Sequence, residues 1–353
     1  MKTYHFTTLL LLVGATLIAQ SNRLTVDNSG LSSGPNLYTD FATAHDAARN
    51  GDTIYIKGTS LNYGNLIVSK KLVILGPGYL LGENPNAPFA SRANVRTISV
   101  VRTNDENPNS GGAGTEIRGI TFDYDINDGI LVYVNDVVIA QNYLYQLRIQ
   151  NSVTSVIIIQ NYILGTIGDI VHLNFLNHIG FTNLNFSNNI VFASSGSGAS
   201  FELPENSVGT ISHNLFLRNT FSVVSFNGPI QSNIAITTRS DGFDFTTTGN
   251  QVRNNTASNG QFGTDNGNNT AAAEDLFVGP TGNSTDGQYQ LKATATAAKG
   301  TAHDGTDRGP FGGARPYILS GVPDLPVILY LELPATTRPT TPLEVTIRAA
   351  SGN

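Results

Sequence analysis

The sequence predicts an all-β solenoid, a parallel β-helix with an N-terminal capping helix and a C-terminal β-hairpin. Three observations carry that reading. A six-residue phrase (apolar, any, polar, Asn, any, apolar or small) recurs at Ile139-Ala-Gln-Asn-Tyr-Leu144, Ile158-Ile-Gln-Asn-Tyr-Ile163, Phe186-Ser-Asn-Asn-Ile-Val191, Ile211-Ser-His-Asn-Leu-Phe216, Ile230-Gln-Ser-Asn-Ile-Ala235 and Val252-Arg-Asn-Asn-Thr-Ala257. A degenerate first copy, Ile117-Arg-Gly-Ile-Thr-Phe122, carries Ile120 at the Asn position. The starts at 117, 139, 158, 186, 211, 230 and 252 give intervals of 22, 19, 28, 25, 19 and 22 residues, one supersecondary unit per coil. Second, the apolar runs are short, rich in Val, Ile, Phe and Thr, and broken by Asn, Gly and Ser, which favours strands over helices. Third, charged residues make up only 13% and glycines number 36, which suits a Gly- and Asn-rich all-β coil.

Coils of this length hold about three short strands, and successive coils stack about 4.8 Å apart. Asn142, Asn161, Asn189, Asn214, Asn233 and Asn255 then lie one above the next. We assign them to an internal hydrogen-bonded ladder in preference to a polar binding row, because buried amides pair.

In chain order, Met1 to Ala19 reads as a signal peptide, with Lys2, the apolar Leu9 to Val13 and a cleavage site before Gln20. Its apolar run is too short to span a bilayer, and no later run is long enough. The mature chain is therefore expected to be exported to the surface, the medium or the periplasm. Residues 20–52 hold a first strand, Leu24 to Val26, and a helix from Asp40 to Arg49 capped by Thr39 and ended by Asn50-Gly51. Phe41, Ala44 and Ala48 share one face of that helix, which suits a plug over the open end of a solenoid, and His45 is read as structural. Residues 53–320 form the β-helix, opening with Thr53 to Ile56, Leu66 to Val68 and Leu72 to Leu75, with loops at Gly82 to Asn94 and Asn104 to Gly114. Residues 321–353 form a hairpin from Pro326 to Leu333 and Leu343 to Ile347, which is expected to cover the C-terminal end.

Asp40-Phe-Ala-Thr-Ala-His-Asp-Ala-Ala-Arg-Asn-Gly-Asp-Thr-Ile-Tyr-Ile56, Lys71-Leu-Val-Ile-Leu-Gly-Pro-Gly78 and Ile117-Arg-Gly-Ile-Thr-Phe122 resemble the opening of secreted bacterial right-handed parallel β-helix proteins of the pectate-lyase-like superfamily. Asp304-Gly-Thr-Asp-Arg-Gly-Pro-Phe-Gly-Gly313 resembles the loop that closes such helices, so the likeness covers roughly Val26 to Gly313. It implies a right-handed coil. For activity it implies only a range, since the superfamily holds lyases, hydrolases, esterases, adhesins and proteins without known activity.

Taking the more apolar alternate positions of the later strand of each coil as inward puts Ile130 and Val132, Val171 and Leu173, Ala199 and Phe201, Val224 and Phe226, and Phe243 and Phe245 inside. The outward partners are then Tyr133, His172, Glu202, Ser225 and Asp244. His172, Glu202 and Asp244 are the candidate catalytic residues, as general acid and base on a glycan, and Tyr133 and Ser225 are candidate sugar contacts. Arg218 and Arg239, one turn away, are placed to read the carboxylate of a uronic acid. Asp241-Gly-Phe-Asp244 is similar to an active-site phrase of polygalacturonase-like hydrolases. The Asp pair, Gly-His-Gly and Arg-Ile-Lys that accompany it in those enzymes are missing, as are the lyase phrases Trp-Ile-Asp-His and Arg-Pro-Arg, and the chain has no Trp. Asp-Gly also recurs at Asp128-Gly129 and Asp241-Gly242, eleven residues after a coil start, as a repeated turn would. Asp123, Asp125 and Asp128, with Asn127, offer oxygen ligands at calcium-like spacing, without the Gly and final Glu of an EF-hand.

With no Cys, disulfides, thiol catalysis and Cys-ligated metals are excluded. A net charge of −6 without a basic cluster argues against nucleic acid, and suits an acidic polymer only where a cation or a local Arg patch overrides the mean. Two functions follow. One is a secreted protein that binds or cleaves extracellular polysaccharide. The other is a non-catalytic structural or adhesive surface protein. An ice-binding face would need a regular flat Thr row, which the sequence lacks. The first two differ in whether Phe192 to Gly198 and Asn219 to Val223 wall a cleft over His172 and Glu202.

Overall fold

The computed structural model describes residues 22–30, 34–89, 91–122, 128–150, 153–165, 182–193, 200–202, 207–217, 220–222, 226–237, 243–244, 251–323, 326–332 and 345–351. The chain winds as a parallel β-solenoid. An eleven-stranded sheet runs from Leu37–Tyr38 through Arg23–Val26, Thr53–Ile56, Val73–Leu75, Glu116–Arg118, Val137–Ala140, Ser155–Ile159, Asn183–Ser187, Gly209–Ser212 and Pro229–Gln231 to Gln251–Arg253. A nine-stranded second sheet begins at Asn94–Val95, takes in Tyr143–Leu144, Tyr162–Gly165, Ile190–Ala193, Leu215–Leu217 and Ile234–Ile236, and ends at Asn269–Thr270. The third face carries Asn65–Val68, Thr97–Val100, Gly129–Val132 and Leu147–Ile149 in one sheet, and Ser200–Glu202, Thr220–Ser222 and Phe243–Asp244 in another. Within the three solenoid faces every pairing is parallel. The strands at Pro326–Glu332 and Thr346–Ser351 pair antiparallel, the expected hairpin, with its second strand a few residues later than the sequence indicates.

Inside the coil, side chains stack in register. Leu24, Ile54, Ile74, Ile117, Ile139, Ile158, Phe186, Ile211 and Ile230 form one continuous row on the first sheet, each buried. Leu144, Ile163, Val191, Phe216, Ala235 and Ala257 line the second sheet, and Leu66, Ile98, Ile130 and Leu147 the third. Burying each large member contributes about 1.5–3 kcal/mol. That drive is indifferent to a slip of two residues, so the register needs something directional.

The Asn ladder supplies it. In the turn between first and second sheets, each Asn Oδ1 accepts the backbone N–H and the Nδ2–H of the Asn one coil earlier, at 2.9–3.2 Å, from Asn142 through Asn161, Asn189, Asn214, Asn233 and Asn255. Asn142 Oδ1 accepts the N–H of Ile120, which explains why the degenerate copy tolerates Ile there: the first rung needs only a donor. At the other end Asn255 donates to Asn268, a seventh rung the repeat spacing did not reveal. Six of these asparagines are fully buried and Asn268 is 6% exposed. The residue before each of the first six, Gln141, Gln160, Asn188, His213, Ser232 and Asn254, adopts the left-handed conformation (φ 52° to 58°). Such a backbone costs a non-glycine residue on the order of 1 kcal/mol or more, and Gly267 takes the position before Asn268 without that cost.

The helix, α1 (Phe41–Ala47), packs on the first strands and buries Phe41, Ala44 and Ala48 in the solenoid core, as a plug should. Its cap is Asp40, not Thr39: Asp40 Oδ1 accepts the Thr43 N–H at 2.8 Å, and the helix ends at Ala47, before Asn50-Gly51. Thr39 is displaced because the carboxylate accepts both the N–H and the hydroxyl of Thr43. His45 is structural: Nε2 accepts the Ser69 N–H at 3.1 Å.

Two tests follow from this packing. Asn189→Ala orphans the Asn161 N–H inside the coil and removes the side-chain bonds to the Asn161 amide and the Ile158 carbonyl. At about 1–3 kcal/mol per buried orphan it should lower stability in urea by about 3 kcal/mol or more, while Asn183→Ala on the exposed face should change it by less than about 0.5 kcal/mol. Burial, and next Lys70, lower the pKa of His45 below its ordinary 6.5. The unfolded chain therefore binds that proton more readily, so the neutral imidazole's contribution is present above about pH 6.5 and is lost as pH falls through the folded value. Melting temperatures between about pH 7 and pH 5 should fall less steeply in His45→Gln than in the parent.

Candidate functional site

Three regions carry polar chemistry, and a return segment of the chain decides which of them is open. The second sheet's outer face, with Tyr143, Tyr162, Ile190, Leu215 and Ile234, is covered by Leu276, Phe277, Ala295, Ala298 and Tyr317. The last solenoid strand is Asn269–Thr270, so the stretch 271–320, read from sequence as coil, instead lies against the side of the solenoid. From Thr301 onward it runs back along the ridge of left-handed turns. The Thr301 carbonyl accepts from Asn254 (3.2 Å), His303 meets Ser232 (2.9 Å), the Pro310 and Gly312 carbonyls accept from Asn188 (2.9 and 2.8 Å), and the Pro316 carbonyl accepts from Gln160 (2.5 Å). The two polar positions of the repeat thus divide the work: Asn points in to the ladder, and the residue before it points out to the strap.

The strap is pinned at both ends. Arg308, 3% exposed, donates to the carbonyls of Asn255, Gly267 and Thr301 and to Thr256 Oγ1. Burial lowers its pKa from 12.5 to about 10. Asp307 pairs with Lys299 at 3.0 Å. At the far end Asp286, fully buried, accepts the Ser320 N–H (2.6 Å) and the Tyr317 hydroxyl (3.3 Å), and the Tyr317 and Tyr79 hydroxyls meet. Burial raises both tyrosine pKa values well above 10, so the pair is neutral.

The first region is the row foreseen on the third face. Glu202 and Asp244 sit in one three-stranded sheet, and the register is Glu202↔Ser222↔Asp244. Ser222 shares their row through the strand Thr220–Ser222. Ser225, His172, Arg218 and Arg239 lie outside the described residues, as do Val171, Leu173, Val224, Phe245 and most of the two expected cleft walls. Tyr133 follows the strand Gly129–Val132, in the other sheet of that face, and is half-buried. The inward assignment of Ile130 and Val132 holds, at 0% and 1% exposed. Of the calcium candidates, Asp123 and Asp125 lie outside the described residues. Asp128 is 3% exposed with its carboxylate 3.4 Å from Arg96 Nε, so a guanidinium already faces it.

The second region is a cleft of about 450 Å³ between the outer face of the first sheet and the strap, lined by Val73, Glu116, Arg118, Gln141, Gln160 and Arg315 among others. Arg118 Nε donates to Glu116, and its other arm reaches Gln141 Oε1 at 3.5 Å. Burial, and then the like charge of Arg315, lower the Arg118 pKa. Two guanidiniums thus face a cleft whose lining includes one carboxylate, which is an arrangement an anion relieves. Sequence reasoning missed it because Arg315 reaches Arg118 only through the strap.

The third region is where strap and ridge meet, at His213, His303 and Asp304. One ring nitrogen of each histidine and a carboxylate oxygen lie within 4.8 Å of one another. His213 is 3% exposed, and its Nε2 lies 3.5 Å from Asp304 Oδ2. Burial lowers both histidine pKa values, leaving them neutral at pH 7. Residue order does not mark this group, since His213 occupies an ordinary polar repeat position.

No protein-family model matches the sequence, and none of the curated proteins compared with it matches either.

Arg308→Met should remove four hydrogen bonds from a buried site and destabilise the protein by about 3–5 kcal/mol, measured by chemical unfolding. Arg308→Lys should recover less than half of that, because an ammonium cannot reproduce the planar fork.

Proposed function

We propose that this chain is a secreted, right-handed β-helix protein of the pectate-lyase-like type that binds a carboxylated extracellular polysaccharide. The cleft lined by Arg118 and Arg315 carries the reading. Its volume of about 450 Å³ suits a few sugar units, and its two guanidiniums supply the local positive patch that a chain of net charge −6 needs for an acidic polymer. The signal-peptide pattern of Met1 to Ala19 supports export, and no helix among the described residues is long and apolar enough to cross a membrane.

Cleavage is the second reading, favoured by the Glu202–Ser222–Asp244 register. Two rungs separate the carboxylate-bearing positions, about 9.6 Å along the axis at about 4.8 Å per strand, close to the upper end of the spacing an inverting pair uses. His172 would complete that set, with Tyr133, Ser225, Arg218 and Arg239 as sugar contacts.

Retardation in gels containing uronic-acid or neutral polysaccharide tests both. The parent should be retarded by uronic-acid polymers, less so in high salt, and Arg118→Gln or Arg315→Gln should each weaken binding about tenfold, the loss of one charge-assisted contact. New reducing ends lost in Glu202→Gln and Asp244→Asn would establish hydrolysis. Unsaturated ends lost in His172→Ala would establish a lyase. No retardation and no product on any polymer would overturn the glycan reading and leave a structural or adhesive solenoid.

A further inference from the structure

We propose that His213, His303 and Asp304 form a binding site for a zinc-class divalent transition metal, which clasps the C-terminal strap to the ladder ridge. The donor set is two imidazoles and one carboxylate, the composition that zinc and its neighbours take with a water in the fourth position. Three features argue that this is a site and not a chance meeting of polar groups.

First, the donors already converge, with one ligand atom from each residue inside 4.8 Å. Tetrahedral zinc needs them about 3.3 Å apart, from metal–ligand distances of about 2.0–2.1 Å. Asp304 is exposed on a turn of the strap, so the shift falls on the residue freest to make it. Second, His213 is an unusual tenant for its position. It is 3% exposed, and neither ring nitrogen has a hydrogen-bond partner. The Asp304 carboxylate at 3.5 Å does not meet hydrogen-bond geometry, and the Asp307 and Gly309 carbonyls that face the ring do not either. Buried polar nitrogens are nearly always satisfied, and leaving two unmet is costly. The corresponding residues Gln160, Asn188 and Asn254 all spend their side chains on strap carbonyls, and His213 alone of the described ridge imidazole or amide groups from 160 to 254 does not. Third, His303 is oriented from outside the cluster. Ser232 Oγ takes the His303 backbone N–H and meets Nδ1, both at 2.9 Å. Gln231 meets Nε2 at 2.9 Å while its own Oε1 is held by Arg253. These are the outer contacts that fix a ligating imidazole, and a metal takes over one of the two ring contacts. The backbone leaves the ring room only because the strap carries glycine there: a Cβ at Gly312 would lie 1.7 Å from the Asp307 carbonyl oxygen and 3.1 Å from His213 Nδ1.

Calcium and magnesium do not fit, since they take six or more oxygens and this cluster supplies one carboxylate. The site is independent of the glycan cleft, which lies nearer the first coils.

The test uses the untagged full chain, titrated with zinc chloride by calorimetry, with thermal unfolding and cobalt(II) absorption alongside, and magnesium chloride as the control cation. Zinc is expected to bind one to one and raise the melting temperature, and cobalt to show ligand-field bands. Asp304→Asn keeps the turn's Oδ1 contacts with Thr306 and should weaken zinc binding at least tenfold. His303→Gln should do the same and remove the cobalt bands. His213→Ala is avoided as the primary variant because it empties a buried position. Zinc binding no stronger than magnesium binding, or a zinc response unchanged in both Asp304→Asn and His303→Gln, would overturn the proposal.

Discussion

The structure depends on one requirement: every coil turns a corner between its first and second sheets, and the backbone N–H at that corner is buried with no strand to receive it. The ladder meets that requirement coil by coil. From Asn142 to Asn255 each Asn offers its own N–H to the next Asn's Oδ1 and reaches back with Nδ2 to a carbonyl, and with Ile120 on Asn142 seven corners are satisfied by one side-chain type. The hydrophobic stacks provide most of the stabilisation, but they would accept other registers. The ladder accepts one, because a coil shifted by a residue presents an amide at the wrong height.

The corner geometry has a second consequence. Placing Asn inward forces the preceding residue into a left-handed backbone, and its side chain then projects from the ridge. A row of outward Gln, Asn, His and Ser groups is the result, and the strap from Thr301 to Gly321 uses it as a rail. The strap in turn hides the second sheet, completes the Arg118–Arg315 cleft and carries His303 and Asp304 to His213. Function in this protein is therefore sought where strap meets coil as much as on the open third face.

How much of this could be read from residue order follows from contact range. The ladder from Asn142 to Asn255 was legible because its members repeat at 19 to 28 residues with the same neighbours. Asn268 was not, since it follows Asn255 by only 13 residues and has Gly267 where earlier coils have a polar side chain. The alternation of Ile130 and Val132 placed them inward correctly, but periodicity did not mark Ser222 as the residue in register with Glu202. The strap was legible only as the closing-loop phrase from Asp304 to Gly313, and its course along the ridge had no signature. Many of its bonds join side chains to backbone carbonyls across gaps such as the 156 residues between Gln160 and Pro316, and carbonyls carry no sequence information. The candidate site inherited the same blindness wherever one partner lay on the strap, as Arg315, His303 and Asp304 do.

Amide hydrogen exchange is the most direct test of the central claim that the ladder sets and holds the coil register. The backbone N–H groups of Asn161, Asn189, Asn214 and Asn233 are predicted to exchange only through global unfolding, with an opening free energy equal to the global stability. Exchange of these amides through low-energy local opening, at rates like those of exposed turns, would contradict it.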